Sequence, residues 1–205
     1  MENNRTAKRA DLRNRLIEAA EAQIARSGLS SLKARELTAE AGCALGALYT
    51  AFDDLDTLIL HVNSRTLARM GMALREAAGR LGPGPEPEAE LLALAQAYTQ
   101  FAIANRPLWL ALFDHRLPEG VELPDWHRRE HEVLIEVIVP PLARLRPDLG
   151  LEALILRART VFGATHGVIS LALQGRFVGV PEAVLHAEVG ALVQAMARGV
   201  RQAQP

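Results

Sequence analysis

The sequence predicts an all-α protein of about nine helices. Ala and Leu dominate a composition that is 49% hydrophobic but only 4% aromatic. Strong helix formers with few β-branched runs favour helices over strands. Apolar side chains recur at three- and four-residue spacing, and prolines and glycines punctuate the chain between them. A three-helix head followed by a larger helical bundle accounts for this pattern.

Four helices are expected before the first clear break. An apolar stripe from Leu12 to Ile24 marks the first helix, and Gly28 stands where a left-handed stop is expected. Gly42 ends the second helix. Asp53 and Asp54 can cap the free N–H groups of the fourth. The second, third and fourth helices are expected over 32–41, 45–50 and 54–80.

The break itself is residues 81–88, LGPGPEPE, whose prolines and glycines cannot continue a helix. Five further helical stretches follow, and Pro140 and Pro141 should kink or split the third. These stretches are expected over 87–104, 107–115, 125–146, 152–175 and 181–203. The predicted domains are an N-terminal head over 1–53, a connecting helix over 54–80 and a C-terminal domain over 87–205.

Charge is distributed unevenly, although the formal net charge is only −1. Residues 1–35 hold eight Lys or Arg against four acids, whereas residues 36–60 hold five acids and no Lys or Arg. This local basic footprint is typical of a short nucleic-acid contact. The single Cys43 excludes a disulfide within the chain. The polar, basic start and the lack of an 18-residue apolar run predict a cytoplasmic protein, and nothing indicates a cofactor.

Residues 31–52, SLKARELTAEAGCALGALYTAF, form the central motif. Two short helices meet at a glycine-containing turn, and four apolar side chains can form their common core: Leu37, Ala41, Leu48 and Phe52. This is a helix-turn-helix pattern, whose second helix can enter a major groove about 12 Å wide.

The stretch 13–59 resembles the DNA-binding head of the TetR family. The resemblance rests chiefly on Ala-Gly-x-x-x-Gly-x-Leu-Tyr-x-x-Phe, which runs from Ala41 to Phe52. It implies a dimeric, sequence-specific transcriptional regulator, by resemblance a repressor, whose affinity for a double-stranded operator changes when a small molecule binds the C-terminal domain. No catalytic role is implied.

The head departs from the family in its recognition helix, which carries no charge between Ala44 and Thr50. Apolar contacts to thymine methyls and a flexible basic arm would then replace the missing polar contacts. Few phosphates would be neutralised per subunit, so affinity should be modest and depend weakly on salt. The DNA-contact candidates are Arg5, Lys8, Arg9, Arg13, Lys33, Ala44, Leu45, Gly46, Ala47, Tyr49 and Thr50.

Residues 156–177 resemble the eighth helix of the TetR subgroup named for a Trp-His-Gly signature, with His166-Gly167 in place and Phe162 standing for the Trp. The resemblance implies a ligand-binding and dimerisation domain. The few aromatic side chains cluster in the second half of the chain, and pockets favour such side chains, which predicts an apolar or amphipathic effector. Ligand candidates are Tyr98, Phe101, Trp109, Phe113, Trp126, Phe162 and His166. Dimer-interface candidates are Leu154, Ala158, Thr165, Ile169, Leu185, Val189, Leu192 and Met196.

Two alternatives remain open from the sequence. One is a dimeric interaction or sensor protein of the same fold that has weak or lost specific DNA binding. The other is a metal-dependent hydrolase, because His127-Arg-Arg-Glu-His131 has the H-x-x-E-H spacing of one zinc peptidase class. A third protein ligand is missing from that pattern and two arginines oppose a cation, so no metal site is predicted.

Overall fold

The computed structural model describes the backbone of residues 2–202 and the side chains of residues 6–199. Within that range the chain is entirely helical, as the sequence predicts, with eleven α-helices and two short 3₁₀ turns at Leu29–Ser31 and Glu182–Val184. The helices are α1 Glu2–Ser27, α2 Ala34–Glu40, α3 Leu45–Ala51, α4 Leu55–Gly79, α5 Pro87–Ala104, α6 Arg106–Asp114, α7 Asp125–His131, α8 Val133–Glu136, α9 Val139–Leu145, α10 Leu151–Leu173 and α11 Leu185–Gln202.

The difference between nine expected helices and eleven observed ones arises in one segment. The stretch expected over 125–146 forms the three short helices α7, α8 and α9. Pro140 and Pro141 lie in the first turn of α9. Proline lacks an N–H group and disrupts a helix interior, but the first turn accepts it because those N–H groups have no helical partner. The predicted split at the two prolines is therefore confirmed.

The chain divides into two compact units. The first contains the chain up to Leu67 together with Asn105–His127, and the second contains Ala68–Ala104 together with the chain from Arg128 onwards. Helices α4 and α7 each run from one unit into the other. The functional division proposed from the sequence, with a boundary at the 81–88 break, stays a prediction.

The core of the first unit joins the helix-turn-helix to α1, α4 and α6. The four side chains that the motif predicts as its common core are all buried there, namely Leu37, Ala41, Leu48 and Phe52. Helix α6 adds Leu108 and Ala111 to the same cluster. Helix α6 therefore packs in the core of the first unit, although it lies more than fifty residues beyond the helix-turn-helix in the sequence.

In the second unit α11 packs along α5, and α10 packs against both. Six of the eight side chains predicted to form a dimer seam are buried within the chain itself, so they belong to its core and offer no surface to a second copy. These six are Leu154, Ala158, Thr165, Ile169, Leu185 and Val189. Leu192 and Met196 are half-buried. None of the described helices is long and apolar enough to cross a membrane.

Three helix ends follow from local sequence as expected. Gly28 has φ +80° and its N–H donates to the Ile24 carbonyl at 2.8 Å, which ends α1. Gly42 has φ +65° just beyond α2. The Asp54 carboxylate accepts a hydrogen bond from the Thr57 N–H at 2.6 Å, and this bond lowers the pKa of Asp54. The predicted cap on α4 is therefore confirmed.

The two glycines that flank the turn should respond oppositely to the same substitution. Gly42→Ala is expected to destabilise the protein by about 1 kcal/mol, because an L-residue pays a steric penalty at positive φ. Gly46→Ala lies within α3 with no heavy atom near its added methyl group, so it should raise stability by up to about 1 kcal/mol. Urea unfolding measures both. A stabilised Gly42→Ala variant would contradict this account of the turn.

Candidate nucleic-acid interface and ligand cavity

Helix α3 presents a neutral face to solvent. Leu48 and Ala51 are buried and fix the helix to the core, whereas Ala47 is half-buried. Tyr49 is 54% exposed and Leu45 is 38% exposed. The Thr50 hydroxyl donates to the Gly46 carbonyl at 3.0 Å, so its oxygen remains available as an acceptor. The residues that the sequence assigned to recognition and that the structure leaves exposed are Ala44, Leu45, Gly46, Tyr49 and Thr50.

Arg13 of α1 holds the C-terminal end of α3. Its guanidinium donates to the Ala51 carbonyl and, through Nη2, to His61 Nε2 at 2.9 Å. The same group lies over the Phe52 ring, 4.1 Å from its centroid, in a cation–π contact. Arg13 is therefore a structural residue of the head. The sequence does not reveal these distant partners, and a DNA contact by Arg13 stays a prediction.

Two further arginines of α1 hold the C-terminal end of α2. Arg15 Nη1 donates to the Ala41 carbonyl at 2.7 Å, and Arg26 forms two hydrogen bonds with the Glu40 carboxylate at 3.2 and 2.8 Å. The Arg26 hydrogen bonds lower the pKa of Glu40. The last carbonyls of a helix lack partners within the helix and carry partial negative charge. Arginines of α1 therefore provide hydrogen-bond donors to the C-terminal ends of both helices of the motif.

The remaining basic residues divide into paired and unpaired groups. Lys33 Nζ lies 2.9 Å from a Glu36 carboxylate oxygen, and both side chains are exposed. Exposed pairs contribute little, so Lys33 can exchange this partner for a phosphate. Helix α1 begins at Glu2, so Lys8 and Arg9 lie on a helix and not on the flexible arm expected. Both side chains are exposed, and neither forms an ion pair among the described side chains. The Arg5 side chain lies outside the described residues.

Arg35 is a candidate phosphate contact that is not among the residues predicted from the sequence. It lies in the first turn of α2, is exposed, and has no ion-pair partner within residues 6–199. Its position inside the motif was visible in the sequence, but only the structure shows that three neighbouring arginines are occupied while Arg35 is not. Lys8, Arg9 and Arg35 are therefore the cations of the head that can meet phosphate directly.

The second unit contains a small apolar cavity of about 40 Å³. Its walls come from α4, α5, α8, α10, α11 and the turn after α8. Two predicted ligand residues, Tyr98 and Phe162, line it. The Tyr98 hydroxyl lies 2.9 Å from His166 Nδ1, and the Phe162 ring stacks on His166 at 5.5 Å. The full lining is Leu74, Leu91, Leu94, Ala95, Tyr98, Leu134, Val137, Ile138, Val161, Phe162, Thr165 and Val193.

The other predicted ligand residues are placed elsewhere. Phe101 is buried in the second unit but is not among the lining side chains. Trp109 and Phe113 pack together at 5.2 Å in the first unit, where Trp126 stacks on His61 at 4.9 Å. These three aromatic side chains build the first unit, so their placement favours a structural role over ligand contact.

The H-x-x-E-H segment shows no metal-binding geometry among the described side chains. His127 is only 2% exposed, and its Nδ1 lies 3.2 Å from the Ser64 hydroxyl. Burial lowers the pKa of His131. Within residues 6–199 no cluster of three or more His, Cys, Asp or Glu side chains could hold a metal ion. The structure thus offers no support for the hydrolase alternative.

Comparison with known families identifies the family to which the chain belongs. A family defined by the tetracyclin repressor-like C-terminal domain matches residues 91–200, more than half of the chain. The protein therefore belongs to the TetR family of transcriptional regulators. Membership of the Trp-His-Gly subgroup stays a prediction. A search among curated proteins found no match.

Solved structures share the fold over nearly the whole chain. A protein of unknown function from Rhodococcus sp. RHA1 is 26% identical, with a TM-score of 0.72 over 92% of this chain and 94% of that one. RolR in complex with resorcinol is 21% identical, with a TM-score of 0.65 over 98% and 97%. A TetR transcriptional regulator from Rhodococcus sp. RHA1 is 17% identical, with a TM-score of 0.62 over 92% and 97%.

Arg13 and Arg9 provide a matched test of the two kinds of basic residue on α1. Arg13→Gln should lower the free energy of unfolding by about 2 kcal/mol, because the Ala51 carbonyl loses a charged donor. Arg9→Gln should change it by less than about 0.5 kcal/mol, since an exposed side chain without partners is removed. Urea unfolding of both variants measures the difference. Equal stabilities would rule out the structural role of Arg13.

Proposed function

We propose that the protein is a cytoplasmic, dimeric transcriptional repressor that binds a specific operator and changes its affinity when a small molecule occupies the apolar cavity. One observation supports DNA recognition above the others. Five of the six residues assigned to recognition at the start and along the outer face of α3 are exposed, while α1 fixes the far ends of α2 and α3. Family membership supplies the expectation that such a head binds DNA.

The chemistry of the α3 face specifies how the operator would be read. Ala44, Leu45 and Ala47 can contact thymine methyl groups, and the Tyr49 hydroxyl can donate to a base edge or a phosphate. No charged side chain lies on this helix. Discrimination would thus rest on apolar contact and a few hydrogen bonds, while Lys8, Arg9, Arg35 and Lys33 position the head on the backbone.

Operator binding is tested by footprinting the protein on the DNA upstream of its own coding sequence, followed by affinity measurements between 50 and 200 mM salt. Four backbone-contacting cations per subunit, Lys8, Arg9, Lys33 and Arg35, give eight in a dimer, which predicts a log–log slope of about −7. Arg9→Gln should reduce the magnitude of the slope by about 2, because two phosphate contacts are lost.

The matched control is Arg75→Gln, which removes an exposed arginine of α4 in the second unit. It should leave the slope unchanged. A slope near −10 would contradict the small number of phosphate contacts. The absence of any specific footprint at low salt would favour the alternative, a sensor or interaction protein of the same fold whose uncharged recognition helix no longer reads DNA.

Dimerisation is proposed through the outward faces of α10 and α11. Leu156 and Leu171 are 68% and 40% exposed on α10, and Gly163 and Gly167 lie between them with open space where a Cβ would stand. On α11 a row of small exposed residues recurs every four positions. This row comprises Ala187, Ala191, Ala195 and Gly199. Exposed leucines beside small residues suit close packing with the same face of a second copy.

The dimer seam is tested by Gly163→Arg. The added side chain meets nothing within the chain but would enter the proposed interface, so the dissociation constant of the dimer should rise at least about tenfold, the effect of 1.4 kcal/mol. Gly79→Arg places the same change at another open glycine, on α4, and should leave dimerisation unaltered. Sedimentation velocity measures both. A wild-type dimer constant for Gly163→Arg would exclude this face.

The cavity provides the effector site of the proposal. Helix α5 supplies four of its lining residues and is followed directly by α6, whose Leu108 and Ala111 lie in the core of the head. Helix α4 likewise supplies Leu74 and begins beside α3. A ligand that shifts either helix would alter the head spacing, which must be near 34–36 Å for successive major grooves. Differential affinity of about 1–3 kcal/mol suffices for such coupling.

A further inference from the structure

The buried hydroxyl of Thr165 lacks the hydrogen bond that most other helical threonines form. Most of them donate to the carbonyl of the residue four positions earlier, at 2.8–3.2 Å. Thr165 has no such bond, and its Oγ1 has no hydrogen-bond partner among the described residues, although the residue is only 4% exposed. The threonines that donate are Thr38, Thr50, Thr66, Thr99 and Thr160.

Thr165 also lines the apolar cavity. Among the described lining residues, the only other side chain with a polar atom is that of Tyr98, whose hydroxyl lies 2.9 Å from His166 Nδ1. The remaining ten lining residues are aliphatic or Phe. A buried hydroxyl without a partner is unfavourable, and few buried polar groups in proteins are left in that condition. The Thr165 hydroxyl is therefore available to donate to, or accept from, a molecule in the cavity.

We propose that the cavity takes a neutral, largely apolar molecule that carries one hydroxyl or carbonyl oxygen, and that Thr165 hydrogen-bonds this oxygen. The inference rests on the proposed function, because it names the class of effector for the same site. A carboxylate or an ammonium group does not fit, since no charged side chain lies among the described lining residues and an unpaired buried charge is strongly disfavoured.

Phe162 and Tyr98 define where the apolar part of the ligand lies. Their rings meet edge to face at 5.6 Å on the side of the cavity formed by α5 and α10. Aliphatic side chains of α8 and α11, Leu134 and Val193, line it as well. The cavity has a volume of about 40 Å³, smaller than the roughly 150 Å³ of a cavity that admits benzene, so a single ring must displace lining side chains to enter.

The test uses three probes with the same ring, namely benzyl alcohol, ethylbenzene and benzoate, in thermal-shift titrations of the full-length protein. Wild type should bind benzyl alcohol most tightly and benzoate not at all. Thr165→Val keeps the side-chain shape but removes the hydroxyl, so benzyl alcohol should weaken about tenfold while ethylbenzene binds at least as tightly as before. Thr165→Ser should retain the preference for the alcohol.

Thr99→Val is the matched control, because Thr99 is equally buried in the second unit but donates to Ala95 and does not line the cavity. It should leave the order of the three probes unchanged. The proposal is overturned if Thr165→Val leaves benzyl alcohol binding unaltered, if benzoate binds more tightly than the neutral probes, or if no probe binds at saturation.

Failure of this inference and failure of the proposed function are distinguishable. Probe binding is measured without DNA, whereas regulation is measured as release of the footprint. An anionic effector that releases operator DNA would overturn the ligand class and leave the repressor proposal standing. Neutral probes that bind through Thr165, in a protein that never binds DNA, would support the ligand class and refute the repressor.

Discussion

The architecture of the head depends on arginines of α1 that reach the C-terminal ends of α2 and α3. Arg13 meets the last residue of α3, and Arg15 meets the carbonyl just beyond α2. Each of these helices is only seven residues long. Helices of that length are not stable alone, and their end carbonyls carry partial negative charge. The positive charge of α1 thus satisfies those carbonyls and fixes the turn between the helices.

Because these arginines bind groups within the head, fewer cations are left to contact DNA. Three arginines of the basic N-terminal stretch, Arg13, Arg15 and Arg26, bind groups within the chain, and among the described side chains of α1 and α2 the other cations, which have no ion-pair partner, are Lys8, Arg9 and Arg35. Helix α3 itself is neutral. In the proposed complex with DNA, α1 and α2 would therefore contact phosphates, and α3 would make apolar contacts to bases. Such a division favours modest affinity, because phosphate contacts supply much of the binding free energy.

The fold class, the helix-turn-helix and most helix ends could be predicted because their signals are local. Gly28, Gly42 and Asp54 act within four residues of themselves, and the proline pair splits its own helix. The partners of Arg13 and Arg15 lie 38 and 26 residues away, and no spacing rule identifies them. Periodicity likewise placed Leu154 and Val189 on apolar stripes of two different helices, α10 and α11, but it cannot distinguish a core face from a dimer face. Among seven predicted ligand residues, only Tyr98 and Phe162 line the cavity.

The unpaired hydroxyl of Thr165 could not be predicted from the sequence either. Its place on an apolar stripe suggested an interface, and only the missing bond to the preceding turn distinguishes it from the other threonines. The central claim, that α1 holds the recognition helix in place, is tested most directly by amide hydrogen exchange on Arg13→Gln. The account predicts faster exchange from Leu48 to Phe52, with exchange in α10 and α11 unchanged. Unchanged protection at the end of α3, or a uniform increase along the whole chain, would contradict it.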